Sequence, residues 1–381
     1  MWQRNQTFID RGENPPPSKQ ATVVNSIGSR DKSIRPIDLL HKLGNLTTPA
    51  NVNMAQLSAS WATRRYFWAI EESNIPQSPF RLSTDARNLD FHQKNLLSDE
   101  FGVAFAGLVL ESEFHASEFV DISIALGDPE IYQDIRQRGR TQPDYLMWSE
   151  IAASPYYVVE CKGSQSSRAT SYDQLRRGLE QVPAIVFGAG ARQVITLVVA
   201  TCMEETGTTV FVVDPPPDEP SHKADVNKKS NKVSQRTGES SWEIRDPDEF
   251  TRRAWIAQES SLLKWAGQYR EAAQPDFELE PWRDRIRNVP EDAPRERLQT
   301  ELGVFVGTRT AAFPELCSNQ IRIFNGVEEE LLAMLSEGSP RAREIAQANQ
   351  RRFREEREVA LRGNPLSSIS PNGTCMIVEG L

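Results

Sequence analysis

Residues 141–163 read TQPDYLMWSEIAASPYYVVECKG. The stretch divides into two short strands joined by a polar turn: Pro143 to Trp148, then Tyr156 to Lys162, an apolar run that ends in charge. Strand side chains alternate, so Tyr156, Val158, Glu160 and Lys162 share one face while Tyr157, Val159 and Cys161 take the other. A buried strand that presents a carboxylate and an ammonium together at its end must either solvate both groups or use them. Asp144, at the start of the neighbouring strand, brings a second carboxylate to the same point. Two converging carboxylates form an oxygen-rich site suited to a hard cation such as Mg²⁺, and a lysine beside them holds a water or neutralises phosphoryl charge. The competing use of the same residues is an ordinary salt pair at a strand end, which contributes little.

At Pro143-Asp144 and, after a spacer, Glu160-Cys161-Lys162, the chain resembles the PD-(D/E)XK nuclease superfamily. The resemblance runs from about Leu96 to Val213, roughly a third of the chain, and its motif is short. Lys162 is the only lysine with an acidic residue two positions before it. The resemblance implies an α/β fold, a restriction-endonuclease-like mixed sheet flanked by helices. It also implies Mg²⁺ at Asp144 and Glu160, with Mn²⁺ substituting, and Lys162 as the catalytic ammonium. Members often carry a further carboxylate on the helix before the sheet, for which Glu100 is the matching residue, as catalytic group and metal ligand. Glu100 also fits a plain acid in the first turn of a helix capped by Ser98.

The chain has 381 residues, room for one sizeable core and a smaller second one, and 24 prolines that suggest extended linkers. A net charge of −9 argues against coating nucleic acid with a broadly basic surface, though it leaves room for a basic cleft. Arginine outnumbers lysine 34 to 10, and its planar fork suits phosphate. The four cysteines, Cys161, Cys202, Cys317 and Cys375, form no CxxC pair, which points to a reduced, cytoplasmic compartment without zinc knuckle or disulfide framework. No HExxH, no GxxxxGK[ST], no run of 18 apolar residues and no signal-peptide core occur, so the expected chain is soluble, with no membrane partner.

Taken in order, residues 1–53 are polar and turn-rich, with a helical patch from Pro36 to Leu43. The spacing of Leu57, Trp61, Tyr66 and Trp68 predicts a helix over Met54 to Glu72, its tryptophans assigned to core packing ahead of base stacking. Ser98 followed by Asp99 and Glu100 predicts a helix start, with Leu97, Phe101, Ala104 and Leu108 as the buried stripe. Phe119 to Leu126 reads as a strand, and Gly127 to Gln142 as an insertion carrying Arg136, Arg138 and Arg140. A helix from about Ser171 turns Leu175, Leu179 and Val182 inward. Strands Gln193 to Cys202 and Thr208 to Asp214 follow. Gln165 and Gln174 are within reach of the charged sheet edge.

Pro215 to Ser240, with Lys223, Lys228, Lys229, Lys232 and Arg236, reads as a linker, either solvated or tracking a phosphate backbone. Beyond it, Asp246-Pro247 opens a helix to about Ala272. Strands Leu302 to Thr308 and Gln320 to Phe324, helices Val327 to Ser336 and Pro340 to Arg362, and a strand Cys375 to Val378 complete a small α+β region. The expected layout is an N-terminal arm and helical extension (1–88), a nuclease-like domain (89–214), a linker (215–240) and a C-terminal α+β domain (241–381) that carries no readable motif and could bind a homo-oligomeric or protein partner.

The resulting expectation is a metal-dependent endonuclease acting on nucleic acid, by analogy DNA, in restriction or anti-phage defence. A non-catalytic nucleic-acid-binding or scaffold protein of the same fold and an RNA-directed nuclease are the alternatives.

Overall fold

The computed structural model describes residues 34–47, 55–71, 80–126, 132–134, 143–149, 156–181, 184–187, 192–193, 195–213, 241–244, 246–279, 291–311, 321–360 and 366–380. The chain opens with helices α1 (Pro36–Leu46), α2 (Ala55–Tyr66, running into a 3₁₀ turn Phe67–Ala69), α3 (Thr84–Arg87) and α4 (Phe91–Glu113). The middle is β1 (Glu118–Asp121), α5 (Ile122–Leu126), β2 (Tyr132–Asp134), β3 (Tyr145–Trp148), β4 (Tyr156–Ser164), α6 (Arg168–Gln181), β5 (Ala184–Phe187), β6 (Arg192–Gln193), β7 (Ile195–Glu204), β8 (Gly207–Val213) and β9 (Ser241–Ile244). The last part is α7 (Pro247–Trp265), α8 (Tyr269–Glu278), β10 (Glu296–Thr300), β11 (Gly303–Ala311), β12 (Arg322–Glu328), α9 (Glu329–Ser336), α10 (Ala342–Ala360), β13 (Ser367–Ile369) and β14 (Thr374–Glu379).

The strands form a mixed α/β arrangement with two five-stranded sheets flanked by helices. The first has the order β1-β3-β4-β7-β8 and the second β10-β11-β12-β14-β13, while β2-β9-β5-β6 make a smaller third. In the first sheet β4 pairs antiparallel with β3 and parallel with β7, from Tyr157 opposite Ile195 to Ser164 opposite Cys202. A parallel neighbour needs a crossover, and α6 provides it. The second sheet is antiparallel throughout.

Helices cover both faces of β4. Tyr157, Val159 and Cys161 pack with Ala106 and Leu110 of α4 and with Leu197 and Val199 of β7. On the other face Leu175 and Leu179 of α6 meet Val198, Ala200 and Cys202. The contact of α4 with the end of β4 is closer than side chains permit: a Cβ on Gly163 would lie 1.7 Å from the Ser98 carbonyl oxygen, and one on Gly102 would lie 2.9 Å from the Lys162 carbonyl. Two glycines facing each other let backbone rest on backbone.

Several expected boundaries move for identifiable reasons. Ser98 does not cap a helix. The cap is Asp90, whose side chain accepts from the His92 and Gln93 amides, and Ser98 lies inside α4 with its hydroxyl bonded back to the Lys94 carbonyl at 2.6 Å. Glu100 is therefore not a first-turn acid. The expected strand over Phe119 to Leu126 stops at Asp121, whose Oδ1 accepts from the Ser123 amide and hydroxyl and starts α5. The single helix expected from Asp246 to Ala272 begins as foreseen, with Asp246 accepting from the Glu249 amide at 2.9 Å. It breaks between α7 and α8, where Gly267 adopts φ +80°. Trp61 and Trp68 do not enter the core: they are 44% and 45% exposed. Val182, Cys317, Arg136, Arg138, Arg140 and the 215–240 segment fall outside the described residues.

The helical patch after residue 35 is packed, not loose. Ile37, Leu39, Leu40 and Leu43 of α1 join one core with Phe101 and Phe105 of α4, Phe250 and Trp265 of α7, and Ile323 and Met376 of the second sheet. Beneath that core runs a buried polar network. Lys42 donates to Glu111 of α4 at 2.5 Å, and both bond Ser370. His41 bonds Ser368 and Thr374 and stacks on Trp265. Lys42→Met leaves the Glu111 carboxylate buried without its ammonium, which costs about 3–5 kcal/mol. Lys42→Met combined with Glu111→Leu restores most of that loss. Urea unfolding of the two single variants and the double variant checks this: additive losses overturn it.

Candidate active site

Glu160 sits three residues before the Gly163 contact, on the α6 face of β4. Burial leaves it 3% exposed. Its Oε1 accepts from Lys162 Nζ at 2.5 Å, as the alternation of the strand requires, and its Oε2 is buried with no hydrogen-bond partner. The Lys162 side chain is about a quarter exposed, reaching along the strand end to the surface.

Asp144 arrives from β3. The β3–β4 ladder ends at Tyr145 opposite Val159, because Pro143 has no N–H to continue it. Asp144 stays bound to β4 in two ways: its amide donates to the Val159 carbonyl at 3.1 Å, and its Oδ2 accepts from the Cys161 amide at 2.7 Å. That amide lies between Glu160 and Lys162 in the chain, so the carboxylate is fixed alongside both. Cys161 itself faces the α4 side and is buried, with its thiol pushed well up by burial and then by the Asp144 and Glu160 charges.

The electrostatics show how closely the charges are grouped. Burial raises the Glu160 carboxyl above its ordinary range, the Asp144 charge raises it further, and Lys162 only partly offsets both. Asp144 is likewise raised, first by burial. The Cys161 amide and Lys162 pull it down, while Asp121 and Asp99 push it up.

Two acids not singled out from the sequence therefore belong to this neighbourhood. Asp121, at the end of β1, pairs opposite Tyr145, the residue after Asp144. Asp99 of α4 has its carboxyl raised by partial desolvation and lowered by Lys162. Asp99 was visible as the neighbour of Glu100, but periodicity tells which residues share a face of α4 and not which face meets the end of β4.

Glu100 is tied to α2, while its charge also acts, with those of Asp121 and Asp144, on the Tyr145 hydroxyl. Its Oε1 takes the Arg65 guanidinium of α2 at 3.1 Å, and its charge, after burial, helps push up the Tyr66 hydroxyl. Gln174 of α6 donates to the Gly163 carbonyl at 2.9 Å and Gln165 to the Lys94 carbonyl at 3.2 Å, so both amides border the strand end.

For a divalent cation, the fit rests on donor chemistry. Glu160 Oε2 is a buried anionic oxygen without a partner, Asp144 uses only Oδ2 within the protein, and hard cations take carboxylate oxygens. Among the described residues no group of three or more His, Cys, Asp or Glu side chains is arranged to hold a metal. Two carboxylates with water in the remaining positions is the usual manner for Mg²⁺. Among those residues, too, no helix is long and apolar enough to cross a membrane. Compared with protein-family models, curated proteins and solved structures, the chain matches none.

The raised carboxyls carry a sign that thermal denaturation reads. A group whose folded pKa exceeds its unfolded value favours folding below the unfolded value, and that contribution is lost as pH rises through the folded one. Charging Glu160 at neutral pH thus opposes folding in the absence of divalent cation. Glu160→Gln, always neutral, melts higher than the unsubstituted chain at pH 7 in EDTA, and the two converge as pH falls through the carboxylate range. Added Mg²⁺ raises the melting temperature of the unsubstituted chain and leaves Glu160→Gln unchanged. A lower melting temperature for Glu160→Gln at pH 7 would show that the Lys162 pair outweighs burial.

Proposed function

We propose that the chain is a metal-dependent phosphodiesterase, a nuclease of the restriction-endonuclease-like kind, acting on nucleic acid with DNA as the first substrate to test. One observation carries the reading: Asp144, Glu160 and Lys162, from two strands and 18 residues of sequence, meet at one strand end with a carboxylate oxygen buried and unpartnered. A divalent cation, Mg²⁺ or Mn²⁺, held by Asp144 and Glu160 supplies Lewis-acid polarisation of a phosphoryl oxygen. Lys162, exposed at its tip, orients the attacking water or offsets the charge that develops on the phosphoryl group. Asp99, whose carboxyl feels the Lys162 charge, acts beside Lys162 as a positioning residue. The Cys161 amide and the backbone packing at Gly163 hold the carboxylates in place before substrate arrives.

One observation favours a second reading. Lys162 already neutralises Glu160 directly, as a purely structural pair does, and that suits a nucleic-acid-binding or scaffold protein without catalysis. An RNA-directed nuclease uses the same residues and differs only in substrate.

Cleavage assays on duplex DNA, single-stranded DNA and RNA with Mg²⁺, Mn²⁺ or EDTA separate these. Asp144→Ala and Glu160→Ala abolish metal-dependent cleavage with the circular dichroism spectrum unchanged. Lys162→Ala lowers kcat by about 10²–10³-fold, in the range expected for removing one preorganised stabilising group. Lys162→Arg does not rescue it, because the planar guanidinium does not fit the place of a compact ammonium. Cys161→Ala retains activity. No cleavage of any substrate by the unsubstituted chain sinks the catalytic reading and leaves the binding one.

A further inference from the structure

Two partly exposed tryptophans lie on the segment that packs against α4. In α2 and the 3₁₀ turn after it, Trp61 and Trp68 are exposed while Ala62, Thr63 and Tyr66 between them, and Ala69 just beyond, are buried. The two rings are thus presented from one short segment, Trp61 from the last turns of α2 and Trp68 from the 3₁₀ turn that follows. Arg65 lies between them, with its guanidinium carbon 5.2 Å from the Trp61 ring centroid and its Nη1 on Glu100. Tyr66 packs edge-on against Phe101 of α4 at 5.1 Å, so the segment is fixed to the helix that carries Asp99 and Glu100.

Exposing two tryptophans costs the burial free energy each would gain in the core, about 1.5–3 kcal/mol for a large apolar side chain. What such rings can take up depends on what lies beside them, and beside Trp61 that is the Arg65 guanidinium. Nucleobases fit: an aromatic ring with an arginine stacked on it offers a π surface for a base and a cation for the adjoining phosphate. Lys94, in no ion pair among the described residues, adds positive charge farther along α4. Bases inside a duplex are already stacked on one another and leave no face for such a platform.

We propose that Trp61, Arg65 and Trp68 form a stacking platform for a single-stranded stretch of nucleic acid, which it delivers across α4 to the Asp144–Glu160–Lys162 end of β4. The proposal rests on the nuclease reading and narrows its substrate class to nucleic acid with unpaired bases: single strands, overhangs or flaps, ahead of blunt duplex.

The test uses the full chain carrying Glu160→Gln, so that binding is read without cleavage, with a 20-nucleotide single strand, the matching blunt duplex and the same duplex with a 3′ or 5′ overhang. Binding is followed by anisotropy of the labelled oligonucleotide and by quenching of tryptophan fluorescence. The single strand and the overhang substrate bind more tightly than blunt duplex and quench the fluorescence. Trp61→Ala and Trp68→Ala each weaken that binding about fivefold or more, the loss expected when one stacked base gives up at least 1 kcal/mol. Phe91→Ala serves as control: Phe91 is 80% exposed, but it lies about two and a half turns of α4 before Glu100 and on the opposite side of the helix, and its removal leaves binding unchanged.

In the unsubstituted background the same tryptophan variants raise KM on single-stranded substrate and spare kcat. Equal binding of single strand and blunt duplex, or indifference of both tryptophan variants, overturns the platform while leaving the cleavage result to decide the nuclease reading separately. Loss of self-association in sedimentation with nucleic-acid binding unchanged also overturns it, because the rings then serve a protein interface. Tryptophan-dependent single-strand binding by a chain that cleaves nothing supports the platform and removes the nuclease.

Discussion

Everything in the first sheet depends on how near α4 lies to the end of β4. At Gly102 and Gly163 the helix and strand meet backbone to backbone, which brings Ser98 over Gly163 and lays the α4 chain beside Lys162. That approach brings Asp99 into the field of Lys162 and closes one side of the strand end, while α6 closes the other over Glu160 and Val198. An alanine at Gly163 would have to move the helix bodily, and the charges at the strand end would no longer be held in register.

The strand pair was legible because alternation is a strong local signal. An apolar run that ends in Glu-Cys-Lys admits one division between faces, and the structure has Glu160 bonded to Lys162 and Cys161 buried on the far side. The parallel pairing of β4 with β7 was not read from the sequence, which offered only the order of elements; the helix between them is the crossover such a pair needs. The start of α4 was less legible: Ser98-Asp99-Glu100 has the chemistry of a helix cap, but Asp90 has it too, and only the packing of the intervening turns decides between them. That displacement carried attention to Glu100, whose partner Arg65 comes from a segment 35 residues earlier and leaves no mark in local spacing.

The tryptophans show the same limit in another form. Their spacing fits a core stripe as well as an exposed one, because periodicity tells which residues share a face and not which way the face turns. The short strands β2, β6, β9, β10 and β13 lacked an apolar run long enough to stand out, and β5 (Ala184–Phe187), though wholly apolar, reads in sequence as the tail of the helix that starts near Ser171; β10 alternates partly and fully exposed residues along its length, so its partner β11, not its own composition, makes it a strand.

The network at Lys42 also bears on how the protein is made. His41, Lys42 and Asn45 meet Ser368, Ser370 and Thr374 across 327 to 333 residues of chain. At 5–20 residues per second, a ribosome that has just released α1 needs about 15–65 s to supply those hydroxyls. Until then α4, which carries Glu111 on one turn and Asp99 three turns earlier, lacks part of its support. The support that the β13–β14 hydroxyls give α4 is thus complete only late in synthesis, and with it the packing of α4 on the Glu160–Lys162 end of β4.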